Sequence, residues 1–162
     1  RDWSVTGVQT WALPIYHAVS RSSGTLGERH GPRSSVRPRC FVGGGCGLAP
    51  ILSMLRHLGD FQDSQPTHLI FGANREAQLV PPADLAAVSS ALPQLGVTLA
   101  VTAPEGEWQG FQGTAPAALE KYLSESTEPQ DIYACGPPKM LEAIEALLEH
   151  RNRGDRLISE RL

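Results

Sequence analysis

The sequence predicts an α/β domain of three layers, in which a five-stranded parallel sheet lies between two layers of helices. Two observations support this prediction: short apolar runs alternate with segments of helical periodicity, and glycine or proline marks most of the junctions. Strands that alternate with helices of roughly 10–15 residues are typical of parallel sheets. A chain of 162 residues is long enough for one such domain with its own core and too short for two.

The first half of the domain is predicted as strand, helix, strand, helix. Residues 40–42 form a short apolar run that ends in three glycines, and residues 50–58 follow with apolar side chains at helical spacing. Residues 68–71 read as a buried strand that stops at Gly72. Residues 82–92 read as a helix that begins at a proline and ends before another.

The second half repeats the alternation. Residues 97–101 are predicted as the third strand and residues 116–123 as the third helix. Residues 131–134 are predicted as the fourth strand. Residues 138–150 form the fourth helix, with five apolar side chains in one stripe and a glycine just past its end. Residues 157–158 are expected to be a last short strand.

Composition and charge limit the partners. Hydrophobic residues make up 41% of the chain and charged residues 19%, as in a soluble globular protein. No apolar run approaches the roughly 18 residues needed to span a bilayer, so no membrane partner is expected. Residues 40–162 carry a net charge of −7 in a chain whose total is −3, and an acidic body is a poor match for nucleic acid.

The three cysteines, Cys40, Cys46 and Cys135, cannot all pair within one chain. Their spacing fits neither a disulfide framework nor a zinc site, and an iron–sulfur cluster of the plant type needs four thiolates at another spacing. No metal site is therefore predicted, and a reduced, cytoplasmic protein is expected.

Residues 1–39 differ from the body of the chain and are expected to be poorly ordered. They hold six arginines against two acidic residues and show no sustained strand or helix period. Residues 5–15 resemble the translation of a sequencing-adapter oligonucleotide, so residues 1–16 are interpreted as non-native and left out of the fold prediction; a natural but unstructured terminus is the alternative. An adapter junction also implies an N-terminally truncated chain, with the folded domain over residues 40–162.

The first candidate site follows the first strand, because parallel sheets bind ligands beyond the carboxyl ends of their strands. The loop that leads into the first helix reads Gly44-Gly45-Cys46-Gly47-Leu48-Ala49-Pro50. Glycines let the backbone approach a ligand closely, and a helix N-terminus offers free N–H groups to an anion. The loop is neither a G-x-G-x-x-G fingerprint nor a P-loop. It fits a pyrophosphate, and a tight turn without a ligand is the alternative.

The second candidate site follows the fourth strand and reads Cys135-Gly136-Pro137-Pro138-Lys139-Met140. Cys135 is either an inert buried cysteine or a small, polarizable side chain that lies against a flat ring. Thiol catalysis is not proposed, because it needs a lowered pKa and a base partner, and the nearby histidines lie on other elements.

Three runs occur in order at these strand ends: CFVGGGCGLAPI, LIFGANREAQL and DIYACGPPKM. Together they resemble the NAD(P)H-binding domain of the ferredoxin–NADP reductase superfamily, and the closer resemblance is to reductase components of bacterial aromatic-ring mono- and dioxygenases. The match extends from about residue 24 to the end of the chain, and residues 24–27 resemble the segment that closes the family's flavin domain. The resemblance implies a Rossmann-like fold and an oxidoreductase.

The resemblance also implies roles for individual residues. Cys135 and Glu160 would be the catalytic residues, with Cys135 and Gly136 beside the nicotinamide. Cys46 stands where the family more often has Thr or Ser, and a thiol is a weak donor; Leu162 stands where the family often has an aromatic residue. The implied cofactor-binding residues are Gly44, Gly45, Cys46, Gly47, Leu48, Ala49, Pro50, Asn74, Arg75, Thr102, Glu105, Cys135, Gly136, Pro137 and Met140.

The cofactor preference follows from charge. NADP-dependent members of the family place a Ser-Arg pair after the third strand to hold the 2′-phosphate, whereas residues 102–108 read TAPEGEW. Two carboxylates without an arginine would repel a phosphate dianion, and a carboxylate suits ribose hydroxyls. NADH is therefore predicted over NADPH. Two alternatives stay open: Arg75 is a solvated loop residue or a cation that swings toward the adenosine, and Trp108 caps its loop or touches the nucleotide.

The function expected is the NADH-binding module of a flavin-dependent electron-transfer reductase, which passes hydride from NADH to FAD and electrons on to an iron–sulfur protein or oxygenase. The family's Arg-x-Tyr-Ser flavin motif is absent from the chain. FAD is therefore assigned to the intact protein, and this fragment is expected neither to retain it nor to turn over alone. The expected partners are the missing flavin domain and the electron acceptor. The alternative is a non-catalytic nucleotide-binding subunit whose flavin lies on a partner chain.

Overall fold

The computed structural model describes residues 37–161, which form six strands and four α-helices. The adapter-like segment, residues 24–27 and Leu162 lie outside the described residues. The strands are β1 (Arg39–Gly44), β2 (Thr67–Ala73), β3 (Leu95–Val101), β4 (Phe111–Gln112), β5 (Asp131–Gly136) and β6 (Arg156–Arg161). The helices are α1 (Leu48–Asp60), α2 (Pro82–Ala91), α3 (Ala115–Glu125) and α4 (Pro138–Arg151).

The strands form one parallel sheet in the order β4-β3-β2-β1-β5-β6. The chain runs outward from β1 through β2 and β3, and it then crosses to the opposite side of β1 to add β5 and β6. The two directions separate between β1 and β5, which makes their carboxyl ends the switch point where such sheets bind ligands. The α/β prediction of a Rossmann-like parallel sheet is confirmed.

The prediction of five strands is wrong by one, because the short strand β4 was not anticipated. Phe111 and Gln112 pair only with Ala100 and Val101 at the end of β3. Two residues are too few to show the alternation that marks a strand in a sequence. The other strands lie where they were expected and are longer. In particular, β6 covers six residues where an apolar pair predicted two, because its polar ends are fixed by pairing with β5.

Side chains alternate between the two faces of the sheet and build two cores. On the face covered by α1 and α2, called the α1 face below, Phe41 of β1 stacks on Tyr133 of β5 with ring centroids 5.0 Å apart. On the opposite face, Val42 and Ile70 pack against α3 and α4. Each fully buried side chain of this size contributes roughly 1.5–3 kcal/mol to folding. The two apolar layers hold the strand ends level with one another.

All four predicted helices are confirmed, with ends displaced by two residues at most. Thr114 caps α3, where its hydroxyl accepts a hydrogen bond from the Ala117 amide at 3.3 Å. α4 ends at Asn152, whose left-handed backbone stops the helix. Within residues 37–161, no helix combines the length and the apolar character required to cross a bilayer.

The amino ends of the strands are joined by a buried cation. Arg39 has no exposed surface, and its Nη2 donates to Asp63 Oδ2 at 3.0 Å and to the side chain of Gln65. These partners precede β2, so the contact ties the start of β1 to the start of β2. This contact lies at the edge of the sheet opposite the carboxyl ends of the strands.

Candidate functional site

The loops that follow β1 and β5 pack directly on each other. A Cβ atom on Gly47 would lie 2.0 Å from the carbonyl oxygen of Cys135, and one on Gly44 would lie 2.5 Å from Met140 Sδ. A Cβ atom on Gly136 would lie 2.7 Å from Met140 Cε. The two loops predicted from the sequence are therefore brought together, and only glycine allows this close approach.

The loop after β1 is open on its outer side. Gly45 has a φ of +56°, and no atom lies within 4 Å of a Cβ built on it. Gly45, Cys46 and Ala49 are exposed, and Gly47 precedes α1 without any side-chain cap. The first N–H groups of a helix need partners. Because Pro50 has no N–H, the amides that precede it are those that can bind an anion.

Met140 packs inside this site, between the two glycine loops. Its sulfur and methyl group face Gly44 and Gly136, and the side chain is half-buried. Methionine fills irregular gaps of this kind because its side chain is unbranched and flexible. Met140, which was predicted to bind the cofactor, therefore packs against both glycine loops.

Cys135 is fully buried on the α1 face. Burial raises the pKa of its thiol to about 11, and Glu160 and Cys46 add to this effect. The group is a protonated thiol at neutral pH and is therefore a weak nucleophile. Its main-chain carbonyl, in contact with Gly47, sets the distance between β5 and the start of α1.

Glu160 pairs with Cys135 across β5 and β6. Its side chain is half-buried, and its Oε2 atom is buried without a hydrogen-bond partner in the described part of the chain. Burial raises the pKa of this carboxyl. A buried polar atom without a partner is uncommon in proteins, which makes the Glu160 carboxyl a candidate for binding a ligand at this edge.

The loops after β2 and β3 are the second half of the site, and they too are joined. The Thr102 amide donates to the Ala73 carbonyl at 3.1 Å, and the Ala103 amide donates to the Asn74 carbonyl at 2.9 Å. These bonds bring the predicted residues Asn74 and Thr102 together at the surface. The sheet register places Gly44, Gly72 and Ala100 level with one another. All these loops therefore lie along one edge, spread over about 14 Å between β3 and β5.

Charged side chains reinforce the second pair of loops. Arg75 Nη1 lies 3.4 Å from Glu105 Oε1, and the Glu105 amide donates to both carboxylate oxygens of Glu76, at 2.8 and 3.1 Å. Gln78 Oε1 accepts from the amides of Asn74 and Arg75. Sequence reasoning missed Glu76 and Gln78. The sequence carries no capping-box signal for Gln78, because arginine stands where that motif has Ser or Thr.

Trp108 caps its own loop. Its Nε1 donates to the Phe111 carbonyl at 3.1 Å, and its ring packs so tightly on Gly110 that an added Cβ would lie 2.4 Å away. Within residues 37–161, no three His, Cys, Asp or Glu side chains are grouped to hold a metal ion.

Comparisons with known proteins agree with this geometry. Residues 41–146 match the family described as "Oxidoreductase NAD-binding domain". The chain is 32% identical over 124 residues to the anthranilate 1,2-dioxygenase electron transfer component of Acinetobacter baylyi, covering 76% of this chain and 36% of that protein. It is 34% identical over 132 residues to the ferredoxin–NAD(P)+ reductase component of naphthalene 1,2-dioxygenase/salicylate 5-hydroxylase systems from a Ralstonia species, covering 81% and 40%.

A solved structure shows the same fold. The cytochrome P450 reductase of Amycolatopsis superposes with a TM-score of 0.68 at 24% identity, covering 85% of this chain and 42% of that one. The chain thus spans about two fifths or less of the length of these relatives. The family match includes both glycine loops, at residues 44–50 and 135–140. The resemblance found in the sequence is confirmed: the chain belongs to the oxidoreductase NAD-binding domain family of the ferredoxin–NADP reductase superfamily.

Proposed function

We propose that residues 40–162 are the NADH-binding module of a flavin-dependent electron-transfer reductase. One observation carries this proposal: the exits of β1 and β5 pack together through glycines around the uncapped start of α1, with open space beside Gly45. An extended anionic ligand fits such an edge, because a helix N-terminus attracts negative charge and no atom occupies the space beside Gly45. In this proposal the loop from Gly44 to Pro50 binds the pyrophosphate.

The nicotinamide end is assigned to the exits of β5 and β6. Gly136 packs against Gly44 and Met140, and the main-chain carbonyl of Cys135 contacts Gly47, so the backbone at this exit is held at a fixed distance from α1. The unpartnered Oε2 of Glu160 is available to a polar group of the ring. NADH supplies a hydride, which FAD accepts in this class of reaction. The chain's own contribution is to position and orient the ring.

The adenosine end is assigned to the loops after β2 and β3. Asn74 and Thr102 are exposed there and offer neutral polar groups to a ribose. Residues 73–81 and 102–110 contain three glutamates and one arginine, so this end carries excess negative charge. A free 2′-hydroxyl is accepted more easily than a 2′-phosphate dianion, which supports NADH over NADPH.

The partners are proposed from the relatives. The Acinetobacter relative is the electron transfer component of a dioxygenase system, and this chain would serve such a system through a flavin domain and an iron–sulfur protein or oxygenase. No residue from 37 to 161 is assigned to FAD. The chain is expected to purify without stoichiometric flavin, and we propose a cytoplasmic location, which suits its three free cysteines.

A ligand-observed titration tests the proposal. The complete chain is mixed with NADH and then with NADPH, and saturation-transfer NMR reports which nucleotide binds. The matched control is Gly45→Glu, which places a carboxylate in the open space beside the loop while circular dichroism verifies the fold. Binding that favours NADH and disappears in the variant supports the proposal. Absence of binding by the folded chain, or equal binding by the variant, contradicts it.

A further inference from the structure

An ion pair stands at the adenosine end of the edge. Arg75 Nη1 and Glu105 Oε1 lie 3.4 Å apart, and the two side chains are 67% and 73% exposed. Residues 73–81 and 102–110 contain no other basic residue. An exposed pair contributes little to stability, so its main consequence is electrostatic: the guanidinium charge is matched by a carboxylate before any ligand arrives.

The backbones on both sides of this pair are held in place. On the Arg75 side, Gln78 Oε1 accepts from the Arg75 amide at 3.1 Å. On the Glu105 side, both oxygens of Glu76 accept from the Glu105 amide. Main-chain bonds from residues 102 and 103 to residues 73 and 74 join the two loops just before the pair. The two side chains therefore start from fixed points that face each other across the gap between β2 and β3.

We propose that Glu105 sets the discrimination against a 2′-phosphate by acting as the internal counter-ion of Arg75. While the pair is closed, the one cation of residues 73–81 and 102–110 is neutralised, and these loops present their remaining carboxylates to the ligand. Without Glu105, Arg75 is released to bind a phosphate dianion. This inference rests on the proposed function, because it requires the adenosine ribose to lie beside these loops.

The mechanism differs from simple repulsion in one testable respect. If Glu105 only repelled the phosphate, its removal would help NADPH whether or not Arg75 were present. If Glu105 acts through Arg75, its removal helps only while Arg75 remains, so the two substitutions are not additive. An exposed ion pair holds its two partners together only weakly, so the release of Arg75 improves phosphate binding by about fivefold at most.

The experiment is a double-mutant cycle on the complete chain, with dissociation constants for NADH and NADPH measured by NMR titration. Glu105→Gln is expected to lower the ratio of the NADPH constant to the NADH constant by up to about fivefold. Arg75→Gln alone is expected to change this ratio less than about twofold, and added to Glu105→Gln it is expected to abolish the gain. Glu107→Gln is the matched control, because Glu107 is exposed in the same loop and makes no ion pair within residues 37–161.

The outcomes separate this inference from the proposed function. If the chain binds NADH but Glu105→Gln leaves the ratio unchanged, the counter-ion role is wrong and the nucleotide site stands. If NADPH binding relative to NADH improves as much in the double variant as in Glu105→Gln, or as much in Glu107→Gln, the counter-ion role is also wrong. Simple repulsion of the 2′-phosphate then explains the preference for NADH. If the folded chain binds neither nucleotide, the proposed function fails, and this inference fails with it.

Discussion

Gly45 and Gly47, two glycines of the loop after β1, are predicted to have different roles, and alanine at each position tests this. At Gly47 the backbone is helical, with a φ of −62°, so alanine is conformationally acceptable. The added Cβ, however, would lie 2.0 Å from the Cys135 carbonyl oxygen and 2.8 Å from the Gly136 amide nitrogen. Both are main-chain atoms of β5, which cannot rotate away. The turn before α1 and strand β5 must therefore separate by more than about 1 Å.

The loss of folding stability expected for Gly47→Ala can be estimated from this displacement. Overpacking in a tight interior costs about 1–3 kcal/mol, and a clash with backbone belongs at the upper end. Gly47→Ala is therefore expected to destabilise the fold by about 3 kcal/mol and to lower the Tm by about 10 °C. Gly45→Ala meets no atom within 4 Å, and only its φ of +56° is unfavourable. The loss of folding stability expected for Gly45→Ala is about 1 kcal/mol.

Chemical denaturation and NADH titration read out the two tasks. Gly45→Ala is expected to remain folded and to bind NADH more weakly than the unsubstituted chain, because its Cβ enters the space assigned to the pyrophosphate. Gly47→Ala is expected to show the larger loss of stability. Equal losses of stability in both variants, or a Gly47→Ala chain as stable as the unsubstituted one, would refute the close approach of the two loops on which the site depends.

Three further predictions concern buried charge. Arg39→Met is expected to lower the free energy of unfolding, measured in denaturant, by about 3–5 kcal/mol, because Asp63 loses its charged partner. Adding Asp63→Leu is expected to restore most of that loss. A double variant as unstable as the single variant contradicts this prediction. Burial lowers the pKa of His68, so the unfolded chain binds a proton at higher pH than the folded chain does, and stability falls as pH drops below about 6.5. His68→Phe is expected to reduce this dependence of the free energy of unfolding on pH. An unchanged pH dependence contradicts the prediction. Burial raises the pKa of Glu160, so its carboxyl stabilises the fold at acid pH and destabilises it as pH rises through that pKa. Glu160→Gln is therefore expected to be more stable than the unsubstituted chain at pH 7 and equally stable near pH 4. An equal gain in stability at both pH values would exclude burial as the cause.

The sequence was sufficient for the architecture because local signals mark each element. Apolar runs that end in glycine predict β1 and β2, and prolines mark the first turns of three helices. The position of the site follows from the same signals, since the carboxyl ends of parallel strands share an edge. The family resemblance then assigned roles to individual residues that composition and periodicity do not reveal.

The contacts that shape the site were beyond local signals. Glu76 binds the Glu105 amide across 29 residues of sequence, and Met140 wedges between two glycines that lie on different strands. Nothing in the residues near Arg75 indicates that Glu105 will be its partner. Such contacts depend on the register of the assembled sheet, which periodicity does not encode. Strand β4 escaped prediction for a related reason, since pairing with β3 rather than its own sequence defines it.

The central claim is that a nucleotide lies along the carboxyl edge of this sheet, and protein-observed NMR tests it most directly. The complete chain, labelled with ¹⁵N, is titrated with NADH while the amide resonances are followed. We predict saturable shifts at the amides of residues 44–49, at Gly136 and in the loop after β3, with little change at the buried amino end around Arg39. The absence of shifts, or shifts confined to the cleft beside His68 and Tyr122 on the face of the sheet covered by α3 and α4, would contradict the account.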